Sequence, residues 1–268
     1  MWTGVLFGTI GALSRETWPT VWILIEVNLI SFLPLIHSKW NCKKVRLLYF
    51  IMQGVGSLSI LARGLRFDRR TLLMKWIIFG LLLKSALSPF HFWGVVIASR
   101  LTNLLNYLFL TWQKITPLFL IPVVATKFDL ISILLINIMI GTICRIGSKA
   151  LGLILFYSGL SHVSWVLSAP ALSGYSYFLL YSIILAPIFL IKSPDLPYLI
   201  FNLAGLPPMS GFYLKLTVLH LVRYSLGIFL LLLSSALLYA YLRVFLVTIP
   251  KGMVSPLTLC TCRLGALY

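Results

Sequence analysis

Acidic residues are scarce in this sequence. The chain of 268 residues contains 5 Asp and Glu against 22 Lys and Arg, and only 10% of its residues are charged, whereas about 25% is usual in soluble domains. So few charges cannot cover the surface of a soluble fold of this size. The scarcity of carboxylates also excludes a hydrolytic carboxylate pair, and the sequence has no phosphate-binding loop, zinc-protease motif or dinucleotide fingerprint.

Cysteines and long polar loops are lacking as well. Cys42 and Cys144 are isolated, and the C-x-C at 260–262 has no second pair to complete a zinc site. Connections such as 38–46 and 65–71 are too short for a soluble catalytic domain. Their basic residues fit lipid headgroups better than nucleic acid, so we expect neither a bound metal nor a nucleic-acid partner.

Apolar residues dominate what is present. Hydrophobic residues make up 60% of the chain, and the mean hydropathy is +1.01. Because a membrane helix needs about 20 apolar residues, the sequence predicts an all-α polytopic bundle of about ten transmembrane helices. The apolar segments are 1–13, 18–36, 47–64, 72–99, 104–124, 129–147, 150–168, 174–192, 197–221 and 224–249.

Two of these segments carry proline-containing interruptions. One lies near 88–90 within segment 72–99, and the other near 205–211 within segment 197–221. Proline removes a backbone donor and clashes with the preceding turn, so each interruption should break its helix. Within a bilayer, the freed backbone groups are tolerated only where protein or internal water satisfies them.

The interrupted segments are the fourth and the ninth of the ten. We therefore expect two inverted five-helix repeats, 1–125 and 126–250, each with a broken fourth helix, followed by an irregular tail over 251–268. Interrupted spans at matching positions of two halves point to a transport site.

Four ionisable residues lie inside apolar segments, and the one that follows the second interruption is less central than the other three. They are Glu26, Lys84, Lys114 and Lys215. Each buried charge costs about 2.5–3.5 kcal/mol on insertion scales, and the four together cost on the order of 10 kcal/mol, comparable to the whole stability of a protein. Burial disfavours the charged form of a lysine, so that it can gain and lose a proton near neutral pH. We therefore expect a buried proton relay.

Two histidines are secondary candidates. His162 lies mid-segment among small polar residues, where it could extend a water chain or hydrogen-bond another helix. His91 lies beside Pro89, where it could satisfy carbonyls freed by the break.

Several motifs carry a family resemblance. The stretches 84–93, 110–117 (LTWQKITP) and 203–215 (LAGLPPMSGFYLK), together with WILIEVN at 22–28 and YSGLSHVSW at 157–165, resemble the mitochondrially encoded subunit 2 of NADH dehydrogenase. This family is an antiporter-like membrane subunit of respiratory complex I. The resemblance implies one proton channel, with Glu26 and Lys84 as a pair, Lys114 at the centre and Lys215 after the second break.

The resemblance also implies a setting. The chain would be a multi-pass protein of the mitochondrial inner membrane and a non-redox core subunit without a self-contained active site. Its partners would be other membrane-arm subunits, including neighbouring antiporter-like subunits, and lipids such as cardiolipin. NADH, FMN, iron–sulfur clusters and ubiquinone would be bound by other subunits.

Two departures and two alternatives remain open. Members of the family carry basic residues where this chain has 150–153 (ALGL), and they often end with a further apolar helix. The same buried lysines would also serve a stand-alone secondary cation/proton antiporter. The third interpretation is a structural membrane anchor whose charges are inert.

Overall fold

Helices make up all the regular structure in the described part of the chain. The computed structural model describes residues 1–14, 17–37, 42–64, 71–148, 150–190, 196–207, 209–222 and 224–248. The first seven helices are α1 (Trp2–Leu13), α2 (Trp18–Phe32, continued by a 3₁₀ turn over Leu33–His37), α3 (Cys42–Gly64), α4 (Thr71–Lys84), α5 (Phe92–Ala98), α6 (Asn103–Leu110) and α7 (Trp112–Val124). The other six are α8 (Lys127–Gly147), α9 (Leu151–Ser168), α10 (Ala171–Leu190), α11 (Leu196–Ala204), α12 (Ser210–Leu221) and α13 (Tyr224–Thr248).

The apolar segments of the sequence coincide with these helices. Each of the ten predicted segments contains one helix or a pair of consecutive helices. Among the described residues, six helical stretches are long and apolar enough to cross a membrane, namely Trp18–Ile36, Lys43–Ala62, Asn103–Val124, Lys127–Gly147, Leu151–Ser168 and Leu172–Leu190. The all-α, multi-pass fold class is confirmed, while the number of ten crossings stays a prediction.

The outer surface of the bundle is apolar. Phe92 is 71% exposed, Phe128 80% and Leu172 85%. Such side chains would be costly in water, and their outward position is that of residues facing lipid. Apolar side chains thus cover the outside as well as forming the core, and the interior also holds buried polar side chains.

Helix α9 lies at the centre of the bundle. It packs along α8 and also contacts α5, α6, α7, α10, α12 and α13, and 72% of its residues are buried. Gly141 of α8 allows the close approach, because a side chain there would lie 3.0 Å from the Tyr157 carbonyl oxygen. Small residues at helix contacts are the usual means of close packing in membranes. Helix α9 therefore contacts helices from both halves of the sequence.

Both predicted interruptions are present. Helix α4 ends at Lys84 and α5 begins at Phe92, while α11 ends at Ala204 and α12 begins at Ser210. The assignment of the chain to two halves, 1–125 and 126–250, stays a prediction. The predicted tail, 251–268, lies outside the described residues.

A third interruption separates α6 from α7, so the segment 104–124 is two helices rather than the continuous one that we expected. Thr111 lies between them with φ −109° and ψ −74°. Its hydroxyl donates to the Tyr107 carbonyl at 2.7 Å, and the Lys114 amide bonds the Thr111 carbonyl at 3.1 Å in a tightened turn. Threonine back-bonding of this kind bends helices, and it places a deformed turn directly before Lys114.

Candidate functional site

Side chains satisfy the backbone freed at the first break. The Gln53 amide donates to the Lys84 carbonyl at 2.8 Å, and the Trp93 indole donates to the Leu83 carbonyl at 3.1 Å. The Ser88 amide donates to the Asn137 side chain at 2.8 Å. Since an unpaired backbone group in lipid costs several kcal/mol, these contacts allow the helix to end inside the bundle.

Lys84 is the last residue of α4 and lies at this break. It is 5% exposed, and its ammonium group has no hydrogen-bond partner among the described residues. Its aliphatic chain packs against Gly56 of α3, where an added Cβ would lie 2.8 Å from the Lys84 Cγ atom. A cation at the C-terminal end of a helix is favoured by the helix dipole, which offsets part of the cost of burial.

Glu26 lies on α2 and is partly buried. Its charge interacts electrostatically with that of Lys84, but the described part of the chain holds no hydrogen bond from the Lys84 ammonium to a carboxylate. The structure therefore brings the predicted pair within electrostatic range without direct contact.

A polar cavity connects Lys84 with α7. The side-chain amides of Asn28 and Gln113 bond each other reciprocally at 3.2 and 3.4 Å, and the Tyr49 hydroxyl donates to the Gln113 oxygen at 3.3 Å. These side chains, Gln53 and Lys84 line a cavity whose water-accessible volume of about 10 Å³ is close to that of one water molecule.

Sequence reasoning missed these uncharged residues. One signal was available: Gln53 lies four residues after Tyr49, so both share one face of α3. A second signal was the position of Gln113, directly before Lys114. Like a charged residue, an uncharged polar side chain in an apolar helix indicates a candidate site residue, because it needs a hydrogen-bond partner inside the bundle.

Lys114 on α7 faces the central helix. It is 2% exposed, and its ammonium nitrogen lies 5.4 Å from the centroid of the Phe156 ring, without a hydrogen-bond partner among the described residues. Gly159 of α9 leaves the space for it, because a Cβ there would lie 3.7 Å from this nitrogen and 3.2 Å from the Tyr181 hydroxyl oxygen. Lys114 and Tyr181 thus approach each other across a glycine.

His162 lies about one helical turn after Gly159 on α9. Its Nδ1 atom is 2.9 Å from the Tyr177 hydroxyl oxygen, and its ring centroid is 4.7 Å from that of Tyr181. The structure therefore groups Lys114, Tyr181 and His162 around α9.

The other candidate histidine, His91, lies at the first break. His91 is 4% exposed and interacts with the Pro89 backbone.

Lys215 lies at the second break. Its ammonium group donates to the Ala204 carbonyl, the last of α11, at 2.5 Å. Gly205 ends α11 with a left-handed backbone conformation at φ +73°, which residues other than glycine rarely adopt. The Asn202 side chain accepts from the Ser210 hydroxyl at 2.8 Å and from the Gly211 amide at 3.0 Å. Both breaks therefore hold a lysine at the C-terminal end of the first helix segment.

Arg145 was also missed by the sequence reading. It lies in the last turn of α8, a position from which an arginine side chain ordinarily extends to the membrane surface. Instead it is 1% exposed, and its guanidinium carbon lies 3.3 Å from the centroid of the Tyr241 ring. No sequence signal could have shown this contact, since it joins α8 to α13.

Among the described residues, no three His, Cys, Asp or Glu side chains cluster as metal ligands would. The site consists of buried basic and polar side chains at the first break, beside α9 and at the second break. The amine and imidazole groups among them can each bind a proton.

The same fold occurs in other solved structures. A chain of respiratory complex I from Thermus thermophilus superposes with a TM-score of 0.79 at 17% identity, covering 94% of this chain and 70% of that one. A chain of an Mrp complex from Dietzia sp. gives 0.74 at 18% identity, covering 93% of this chain and 59% of that one. The likenesses define a fold class, the all-α bundle that this chain shares with these two chains.

The sequence narrows this class to one family. NADH-ubiquinone oxidoreductase chain 2 of Anopheles gambiae is 30% identical over 280 residues, which span 89% of this chain and 82% of that protein. No protein-family model matches the chain. The chain belongs to the NADH-ubiquinone oxidoreductase chain 2 family, and the resemblance indicated by the motifs is confirmed.

Proposed function

We propose that this chain translocates protons across the mitochondrial inner membrane as an antiporter-like subunit of the NADH:ubiquinone oxidoreductase membrane arm. As a member of its family it is a non-redox core subunit. NADH, FMN, iron–sulfur clusters and ubiquinone belong to other subunits, and quinone reduction there drives proton movement through this chain. Its partners are the other membrane-arm subunits, neighbouring antiporter-like subunits among them, and membrane lipids such as cardiolipin.

Glu26 and Lys84 form the switching pair in this proposal. A unit charge at about 4 Å contributes about 4 kcal/mol at an effective dielectric constant near 20, which equals roughly a thousandfold change in proton affinity. A small movement of Glu26 toward Lys84 would therefore hold a proton on the lysine, and separation would release it. The absence of direct contact among the described residues supports this role, because a locked ion pair could not switch.

The polar cavity then carries the proton toward α7. A water molecule held by Gln113 and Asn28 would link Lys84 to the turn that begins at Thr111 and carries Lys114. Buried polar groups of this kind are normally satisfied by internal water, and water is also the natural proton carrier between them.

Along α9 the proton passes from Lys114 toward His162 and then to Lys215. Tyr181 lies between the first two, and Tyr177 fixes the orientation of the histidine ring. At Lys215 the Ala204 carbonyl stabilises the protonated form. His91 at the first break remains a further candidate for proton exchange there.

One observation carries this proposal: three lysines, each no more than 9% exposed, lie in a largely apolar interior at or beside helix interruptions. The test is the proton-to-electron ratio of the assembled complex in sealed membranes. Lys84→Met and Glu26→Gln should lower the ratio while assembly persists. Lys75→Met, an exposed lysine on the same helix, is the matched control. A normal ratio in both site variants would refute the relay.

The second candidate function is a stand-alone cation/proton antiporter, which the likeness to a chain of an Mrp complex favours. The purified chain would be reconstituted alone into liposomes that carry a sodium gradient. Sodium-driven proton movement that Lys114→Met abolishes would support this function. Liposomes that show no sodium-driven proton movement, together with co-purification of the chain in a large NADH-oxidising complex, would support the role as a subunit of that complex.

A further inference from the structure

Gly159 on α9 differs from a glycine at a helix contact. At Gly141, a side-chain carbon would lie 3.0 Å from the backbone carbonyl oxygen of Tyr157 on the neighbouring helix. At Gly159, the nearest described atoms are instead two side-chain tips, the Tyr181 hydroxyl oxygen at 3.2 Å and the Lys114 ammonium nitrogen at 3.7 Å. Close approach of two helix backbones therefore does not account for this glycine.

The space in front of Gly159 is bordered by polar atoms. Apart from its chain neighbours and the backbone of its own helix, no other described atom lies within 4 Å of the point where its Cβ would be. A space that offers two to four polar partners holds water, whereas an apolar cavity stays dry. A water oxygen lies about 2.7–3.0 Å from its hydrogen-bond partners, so a water molecule in front of the glycine can reach both tips.

The two tips that border this space belong to buried side chains of different helices. Lys114 on α7 is 2% exposed and Tyr181 on α10 is 3% exposed. Neither tip has a hydrogen-bond partner among the described residues, so they do not bond each other directly. They cannot lie further apart than the sum of their distances from the Gly159 Cβ position. One bridging water molecule would satisfy both groups at once.

Tyr181 also contacts the next group of the proposed relay. Its ring centroid lies 4.7 Å from that of His162. On the side of Lys114, the ammonium nitrogen also lies 5.4 Å from the centroid of the Phe156 ring, but this ring has no atom that can take up a proton. The space beside Gly159 is therefore the polar surrounding through which a proton can leave Lys114 toward His162.

We propose that the space beside Gly159 binds one water molecule that bridges the Lys114 ammonium and the Tyr181 hydroxyl, and that Tyr181 is a positioning residue for proton transfer at the central lysine. The ammonium donates to the water oxygen, and the water donates to the tyrosine oxygen. A water molecule held in this way is oriented to accept the proton of Lys114. This inference rests on the proposed function, because it assigns how the same relay is hydrated at its centre.

The first experiment compares Gly159→Ala with Gly159→Ser in the assembled complex. Both variants add the same Cβ, but serine also supplies a hydroxyl that can bond the two tips in place of water. The readout is the proton-to-electron ratio in sealed membranes, measured beside Lys114→Met, whose deficit defines the contribution of this chain. Gly159→Ala should lose at least half of that contribution, and Gly159→Ser should keep more than half of it. Equal ratios in the two glycine variants would overturn the proposal.

A second pair of variants covers the case in which the glycine variants do not assemble. Tyr181→Phe removes only the hydroxyl and should also lose at least half of the contribution. Tyr175→Phe removes the hydroxyl of a tyrosine on the same helix that is 39% exposed, and it should leave the ratio unchanged. Equal ratios in these two variants would refute the role of Tyr181.

The water molecule itself can be observed in a high-resolution map of the unaltered complex. We expect one ordered water within hydrogen-bond distance of both the Lys114 nitrogen and the Tyr181 oxygen, and a dry contact there would refute the water site. If Lys114→Met itself leaves the proton-to-electron ratio unchanged, the proposed function fails, and this inference fails with it.

Discussion

Replacement of Lys114 by methionine should separate the function of this lysine from its effect on stability. The side chain is 2% exposed and has no hydrogen-bond partner among the described residues. Removing its charge recovers about 2.5–3.5 kcal/mol of insertion cost. The lost contact with the Phe156 ring, 5.4 Å away, accounts for at most about 2 kcal/mol.

The difference predicts a net stabilisation of about 0.5–1.5 kcal/mol, because methionine fills a similar volume with a flexible apolar chain. The Lys114→Met complex should therefore assemble normally and withstand heat at least as well as the unaltered complex. At the same time its proton-to-electron ratio should fall, since the central acceptor of the relay is missing.

Thermal inactivation of NADH:quinone activity and proton pumping in sealed membranes measure the two effects. Lys75→Met is the control, because that lysine is exposed on α4 and should alter neither quantity. A complex that loses heat resistance but keeps its full ratio would show that Lys114 only joins helices and takes no part in proton transfer.

Two further predictions concern the breaks. Gln53→Ala leaves the Lys84 carbonyl without its 2.8 Å donor, and an unsatisfied buried acceptor lowers the free energy of unfolding by about 1–3 kcal/mol. Thermal inactivation of this variant should therefore occur at a lower temperature. An unchanged inactivation temperature would contradict the importance of this hydrogen bond. Gly205→Ala requires a left-handed alanine at φ +73° and places its Cβ 3.1 Å from the Lys215 ammonium nitrogen. It should lower both heat resistance and pumping, and normal pumping would show that the position of Lys215 is not critical.

Much of the fold could be predicted from the sequence. Apolar length alone locates the membrane helices, because lipid requires every backbone group to be paired within the helix. Both proline-containing breaks were predicted for the same reason, since proline cannot donate. The break at Thr111 was not predicted, because threonine is common in continuous helices and its back-bonding depends on local packing.

The charged part of the site was also visible in the sequence. A lysine in the middle of an apolar segment is costly wherever the helix lies, so Lys84 and Lys114 could be identified without knowing their neighbours. Their roles as relay groups stay a prediction.

The remaining part of the site depends on tertiary contacts. Gln113 and Tyr49 become site residues only because α3 and α7 meet beside the first break. Arg145 lies close enough to a segment end to reach the surface, but the packing of α13 against α8 places the Tyr241 ring over it. Such contacts join residues far apart in the chain, and no local pattern records them.

The most direct test of the relay is a high-resolution map of the assembled complex in lipid that resolves ordered water. We expect water molecules that join the Lys84 cavity to Lys114, and Lys114 to His162 and Lys215, along α9. A dry, closely packed gap between Lys84 and Lys114, or either lysine turned toward lipid, would contradict the relay.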